Sequence, residues 1–239
     1  MRIHCLRLRC LLALLAVAGP NASAKVVDRT TTIAGLLVHY QVVLPRDYDP
    51  EKAYPAVLAF PPGDQTGEMV FVTLNRNWAP EAQRRGYLVF IPAAPAGRLF
   101  SQDGARVFPE FLKQLLAQYK IRANKFHAAG MSNGGISAFH IAASYPEYFL
   151  SVTGFPGYLP DATPQRVDAL AGMCIFLHVG ERDTGWLQQM QEQASLFRAR
   201  RYPVQLTVEK GESHVIRGLT GDGAARLFDE IESPACSRP

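Results

Sequence analysis

The sequence lacks most of the features that would point away from an enzyme. No block of lysine and arginine and no basic stripe runs through its 239 residues, so nothing provides the electrostatic footprint of a nucleic-acid binder. No His/Cys/Asp cluster has metal-ligand spacing, and no repeat, low-complexity tract or linker divides the chain. Acidic residues are missing from residues 1–24, which makes the formal charge of +4 misleading. Arg2, Arg7 and Arg9 are three of the 25 basic residues, and the remainder carries 22 basic against 21 acidic. The apolar run at 11–18 is far shorter than the roughly 20 residues needed to span a membrane.

What is present begins with a leader. Three arginines precede that apolar run, Gly19-Pro20 ends it, and Ala22-Ser23-Ala24 supplies small residues for cleavage before Lys25. Residues 1–24 therefore read as a secretory signal peptide, with an uncleaved anchor as the alternative. Cys10 follows Arg9, which argues against a lipoprotein acylation site. The expectation is a secreted or periplasmic protein whose mature chain has no membrane span. Cys5 and Cys10 leave with the leader, so only Cys174 and Cys236 remain. In an oxidising compartment the two either pair, tying the tail to the start of a core strand, or stay as separate thiols.

With 48% hydrophobic and 19% charged residues, residues 25–239 read as one globular domain with a sizeable core. Apolar strand signals fall at 36–44, 56–60, 87–91, 126–129, 149–155, 175–179 and 204–208. Helical periodicity falls at 78–85, 108–119, 186–200 and 222–232. Continuous apolar strands separated by helices predict an α/β fold, a mostly parallel sheet covered on both faces.

The most informative stretch is Lys125 to Pro146. An apolar run enters Gly130-Met131-Ser132-Asn133-Gly134-Gly135, and a helix follows, with Ile136, Phe139, His140 and Ala143 at helical spacing until Tyr145-Pro146. Strand, tight turn and helix around G-x-S-x-G is the context of a nucleophile elbow. Chemistry in such sheets gathers at the carboxyl ends of the strands. Beyond 175–179 comes Gly180-Glu181-Arg182-Asp183-Thr184, and beyond 204–208 comes Gly211-Glu212-Ser213-His214. A serine hydroxyl needs a base to take its proton, and the base needs a carboxylate to fix its tautomer. Of the histidines, His39, His127 and His178 fall inside strands and His140 lies two turns into the helix. His214 alone sits in a loop after a late strand. The candidate set is Ser132, His214 and Asp183, with Glu181 as the second choice of acid.

GMSNGG, followed by an alanine-rich helix and SYPEYF, resembles the α/β-hydrolase esterases. It is most similar to the secreted group that contains polyhydroxybutyrate depolymerases, feruloyl esterases and acetylxylan esterases. LPRDYDPEKAYPAVLAF, HVGERDT and GESHV extend the likeness over nearly the whole mature chain. The resemblance implies a Ser132–Asp183–His214 triad, ester hydrolysis through an acyl-enzyme, and no cofactor or metal.

One departure stands out. Where that family has a His-Gly pair after the strand, this chain has Pro61-Pro62-Gly63-Asp64. Proline has no N–H to donate, so the oxyanion donors expected are the N–H of Asn133 and that of Gly63 or Asp64. The excursion at 156–172 is too short for a large lid, which predicts an open, lidless site. Trp186, Tyr158, Phe155 and Phe100 lie near strand ends as candidate walls of an acyl or alcohol pocket. The substrate expected is a small-molecule or polymer-linked ester. A secreted peptidase or amidase with the same triad, and a catalytically silent binding protein on a hydrolase scaffold, are the alternatives.

Overall fold

The structure is a computed structural model that describes residues 25–233 and residue 236; the expected leader at 1–24 lies outside the described residues. Eight strands form one sheet: β1 (Lys25–Ile33), β2 (Leu36–Leu44), β3 (Ala56–Phe60), β4 (Leu88–Pro92), β5 (Phe126–Gly130), β6 (Phe149–Gly154), β7 (Cys174–Gly180) and β8 (Val204–Glu209). Their spatial order is β1-β2-β4-β3-β5-β6-β7-β8. The pairs β1/β2 and β2/β4 are antiparallel, and every other pair is parallel.

The helices are α1 (Gly67–Thr73), α2 (Ala79–Arg85), α3 (Phe108–Gln118), α4 (Asn133–Ser144), α5 (Pro164–Asp168), α6 (Thr184–Ala199) and α7 (Ala225–Ile231). Because successive side chains of a strand face opposite ways, the central strands feed two cores at once. Leu58, Phe90, Ala128 and Leu177 pack under α3, α4 and α6. Val57, Val89, Ala129 and Phe176 pack under α1, α2 and α7. Strands buried on both faces are what the continuous apolar runs demand.

Two elements differ from the reading of the sequence. The first strand, β1, has a polar, largely exposed pattern, so its alternation carried no core signal. It forms because Ala34 and Gly35, both at positive φ, make the tight turn that lays it against β2. The helical stretch expected at 78–85 begins much earlier, at Gly67, and passes through a π-helical turn, Leu74–Trp78, before α2. Val70, Leu74 and Trp78 are buried on the sheet. Pro80, near the start of α2, cannot donate a backbone hydrogen bond to the preceding turn.

The C-terminal helix is tied to β7 twice. Cys174 and Cys236 are disulfide-bonded, 62 residues apart in sequence. Buried His178 donates from Nδ1 to Glu209 Oε1 and from Nε2 to Glu230 Oε2, each at 2.9 Å. Arg226 also donates to Glu209. Burial opposes a charge on His178, but the two carboxylates overcome it and hold its pKa above the ordinary value. The hydrogen bond from His178 is the main reason that Glu209 is lowered to about 2.

Two outcomes follow for stability. Replacing both Cys174 and Cys236 by serine should destabilise the fold by about 2–4 kcal/mol, measured by urea unfolding, since the closed loop is long. The second concerns pH. A raised His178 stabilises fully below its unfolded value of about 6.5, and that contribution is lost as pH rises through the folded value. Lowered Glu209 stabilises above its ordinary range, and that contribution is lost as pH falls towards 2. The stability difference between wild type and His178→Gln should therefore be largest between about pH 4.5 and 6.5, shrinking at higher pH and again as Glu209 is protonated towards pH 2. A difference that grows with pH above that window contradicts this account.

Candidate active site

Ser132 lies two residues past the end of β5, at φ 57 and ψ −125, and α4 starts at the next residue. A non-glycine residue rarely adopts this geometry, and the surroundings enforce it. A side chain on Gly130 would meet the Gly134 carbonyl oxygen at 2.2 Å, and one on Gly134 would meet the Phe60 carbonyl oxygen at 2.2 Å. Strand, helix and the end of β3 thus pack backbone to backbone around the serine. The Ser132 N–H donates to Pro156 O at 2.7 Å, which anchors the turn from the β6 side.

His214 and Asp183 come from the two strands beyond. Ser132 Oγ lies 2.9 Å from His214 Nε2, and His214 Nδ1 lies 2.7 Å from Asp183 Oδ2. A carboxylate can only accept, so Nδ1 carries the proton and Nε2 is left to accept from the serine hydroxyl. Asp183 stands at the N-cap of α6, yet its side chain makes no capping bond there, and it is free to face the imidazole. Glu181, the other candidate acid, is occupied elsewhere: its Oε2 accepts from the Gly211 N–H at 2.8 Å. The loop carrying His214 is held in place by this bond and by Arg182 N–H to Glu212 O at 2.9 Å. Gly180 touches the Ser213 carbonyl so closely that a side chain there would meet it at 2.2 Å. A hydroxyl, imidazole and carboxylate in this chain can generate a serine nucleophile at neutral pH.

The proline-containing loop closes over the start of α4. Asn133 Nδ2 donates to Gly63 O at 3.0 Å. Gly63 has φ +60, and Gln65 N–H donates to Pro62 O, closing a tight turn. The backbone N–H groups of Asn133, Gly63 and Asp64 have no acceptor among the described residues. These are the donors expected from the sequence.

No protein-family model matches the chain, and no curated protein matches it. Solved structures do. It is similar to a serine-to-alanine variant of the feruloyl esterase module from Clostridium thermocellum complexed with sinapinate, at TM-score 0.71 and 15% identity, covering 90% of this chain and 88% of that one. It is similar to a ferulic acid esterase at TM-score 0.69 and 19% identity, covering 87% and 96%. A thermostable esterase matches at TM-score 0.66 and 18% identity over 77% of this chain, which spans 54% of that longer protein. The chain has the α/β-hydrolase fold.

Within this fold the aromatic candidates separate. Trp186 packs tilted against the His214 ring, centroids 5.1 Å apart, and Tyr158 packs on Trp186 at 5.1 Å; both are half-buried. Phe100 is fully buried against Phe60 and Phe108. Phe155 is 2% exposed and packed on Trp78, so it acts as core and offers a substrate only one wall of a small cavity. The other histidines are engaged elsewhere. His127 is lowered to about 4 by burial and bonds Ser151 at 2.8 Å, His140 meets Arg166, and His39 lies exposed on β2. Among the described residues no group of three or more metal-ligating side chains gathers, and no helix is long and apolar enough to cross a membrane.

Gln65 is the residue that sequence reasoning passed over. It is fully buried at φ 55. Its Nε2 donates to Ser137 Oγ on α4 at 3.1 Å, and its Oε1 accepts from the Phe100 N–H at 3.0 Å. It rivets the loop to the helix, and a polar loop residue with this role looks no different from a solvated one in sequence. Gln65→Leu leaves two buried groups unpaired, at about 1–3 kcal/mol each. The expected outcome is a lowered unfolding midpoint; an unchanged midpoint would show that water replaces the amide.

Proposed function

We propose that this protein is an exported serine hydrolase that cleaves carboxylic esters through an acyl-enzyme. The observation that carries the reading is the continuous chain from Ser132 Oγ through His214 to Asp183, at 2.9 and 2.7 Å, on a strained strand-to-helix turn. The esterase neighbours of the same fold support it. The leader at 1–24 supports export.

In this mechanism Ser132 Oγ attacks the ester carbonyl carbon while its proton passes to His214 Nε2. Asp183 stabilises the imidazolium that forms. The oxyanion accepts hydrogen bonds from the Asn133 N–H and from that of Gly63 or Asp64, donors already fixed before substrate arrives. His214 then delivers its proton to the leaving alkoxide oxygen as the carbon–oxygen bond breaks. Water attacks the acyl-enzyme, gives its proton to His214, and the acid departs as Ser132 regains its hydrogen. Pro61 and Pro62 cost this loop two potential donors, and the turn beyond them supplies the replacement.

Intact-mass labelling with a fluorophosphonate tests the reading. Wild type should take up one adduct, and Ser132→Ala none. Asp183→Asn should lower kcat for a short p-nitrophenyl ester on the order of 10⁴-fold, because the imidazole then adopts the wrong tautomer. Turnover of peptides but not esters would assign a peptidase instead. Folded protein without an adduct would leave a binding protein on a hydrolase scaffold.

A further inference from the structure

A cavity of about 180 Å³ is lined by residues that flank Ser132 and His214 in the chain, though by neither of the two themselves. Met131, the residue before the serine, and Val215 and Ile216, which follow the histidine, line it, and so do Pro62 and Phe155. At roughly 30 Å³ per water its volume holds about six waters, enough for a short acyl or alcohol chain. Its wall is mostly apolar, with Thr73, Asn77, Thr220 and Arg76 as the polar members. Arg76 is the only charged residue among those lining it.

Arg76 comes from an unusual piece of backbone. The Leu74–Trp78 turn is π-helical, and such turns are rare and concentrate at functional sites. Its neighbour Asn77, 6% exposed, also lines the cavity and donates from Nδ2 to Leu219 O at 2.8 Å, fastening the π turn to the loop after His214. Arg84 and Arg85, further along the same helical stretch, pair with Glu81, and Arg85 also with Asp229 and Glu232. Arg76 is exposed at the cavity's rim and has no ion-pair or hydrogen-bond partner among the described residues.

We propose that this cavity is a subsite for a carboxylate carried by the ester substrate, with Arg76 as the group that receives it. The inference rests on the esterase reading above. A planar guanidinium matches a carboxylate bidentately, and one arginine balances its single charge. The apolar wall from Pro62 to Val215 accommodates the methylene chain between the carboxylate and the scissile ester. The substrate class is therefore the half-ester of a dicarboxylic acid, or the ester of a hydroxy acid.

The test compares matched pairs of esters. On the acyl side, mono-p-nitrophenyl adipate is set against p-nitrophenyl heptanoate. On the alcohol side, the butyrate ester of glycolate is set against isobutyl butyrate. Wild type should prefer the anionic partner of at least one pair by about tenfold in kcat/KM, and the preference should shrink with added salt. Arg76→Met should collapse that ratio, and Arg76→Lys should keep part of it. Fluorophosphonate labelling of each variant identifies any that misfold. A preference for the neutral partner in both pairs, or a ratio that Arg76→Met does not move, overturns the proposal. Turnover of no ester overturns it as well, and the adduct then separates the two readings. With an adduct only the carboxylate subsite falls; without one the esterase reading falls too.

Discussion

Three pieces of backbone meet around Ser132 at distances that exclude a side chain. The end of β5, the first turn of α4 and the Phe60–Pro61 peptide approach so closely that Gly130 and Gly134 have no room for a Cβ. The strain at Ser132 persists because this packing over-determines it. Everything proposed for the site depends on the result. The Ser132 hydroxyl is held 2.9 Å from His214 Nε2.

Around that point the protein assembles its polar groups from loops held by other polar groups. Asn133 clips Gly63, and Gln65 clips Ser137 and the Phe100 backbone. Glu181 holds Gly211, and Glu212 accepts from the Gly218 N–H. None of these bonds involves the proposed reacting atoms. They fix the loops that carry them, which lets donors be oriented before a charge develops. The two prolines fit this scheme, because the loop is positioned by Asn133 and Gln65 and does not need N–H groups at 61 or 62.

On the far side of β7 the same logic serves the C-terminus. A short helix such as α7 has little stability alone. The disulfide and the His178–Glu209–Glu230 cluster anchor it to the strand that also leads to Asp183. A doubly bonded imidazolium inside the fold is a costly group, and its two carboxylates with Arg226 compensate for the burial.

The sequence by itself determined the fold class and the order of the central strands along the chain, because strands buried on both faces must be continuously apolar. It also singled out Ser132 as the candidate nucleophile, since a glycine-flanked serine between an apolar run and a helix has few other uses. It narrowed the histidine to His214, because the remaining candidates lie inside regular elements. Tertiary structure alone decided the rest. β1 is polar and forms only by pairing with β2. Which carboxylate faces His214 was set there: Asp183 Oδ2 lies 2.7 Å from its Nδ1, while Glu181 accepts from the Gly211 N–H. Phe155 and Phe100 stand near strand ends in sequence, yet both turn into the core, because ring packing against Trp78 and Phe60 depends on neighbours remote along the chain. Gln65, the π turn and Arg76 were hidden for the same reason. Local sequence patterns report periodicity and backbone freedom, whereas the partner of a buried polar group, or the lack of one, is set by residues from other parts of the chain.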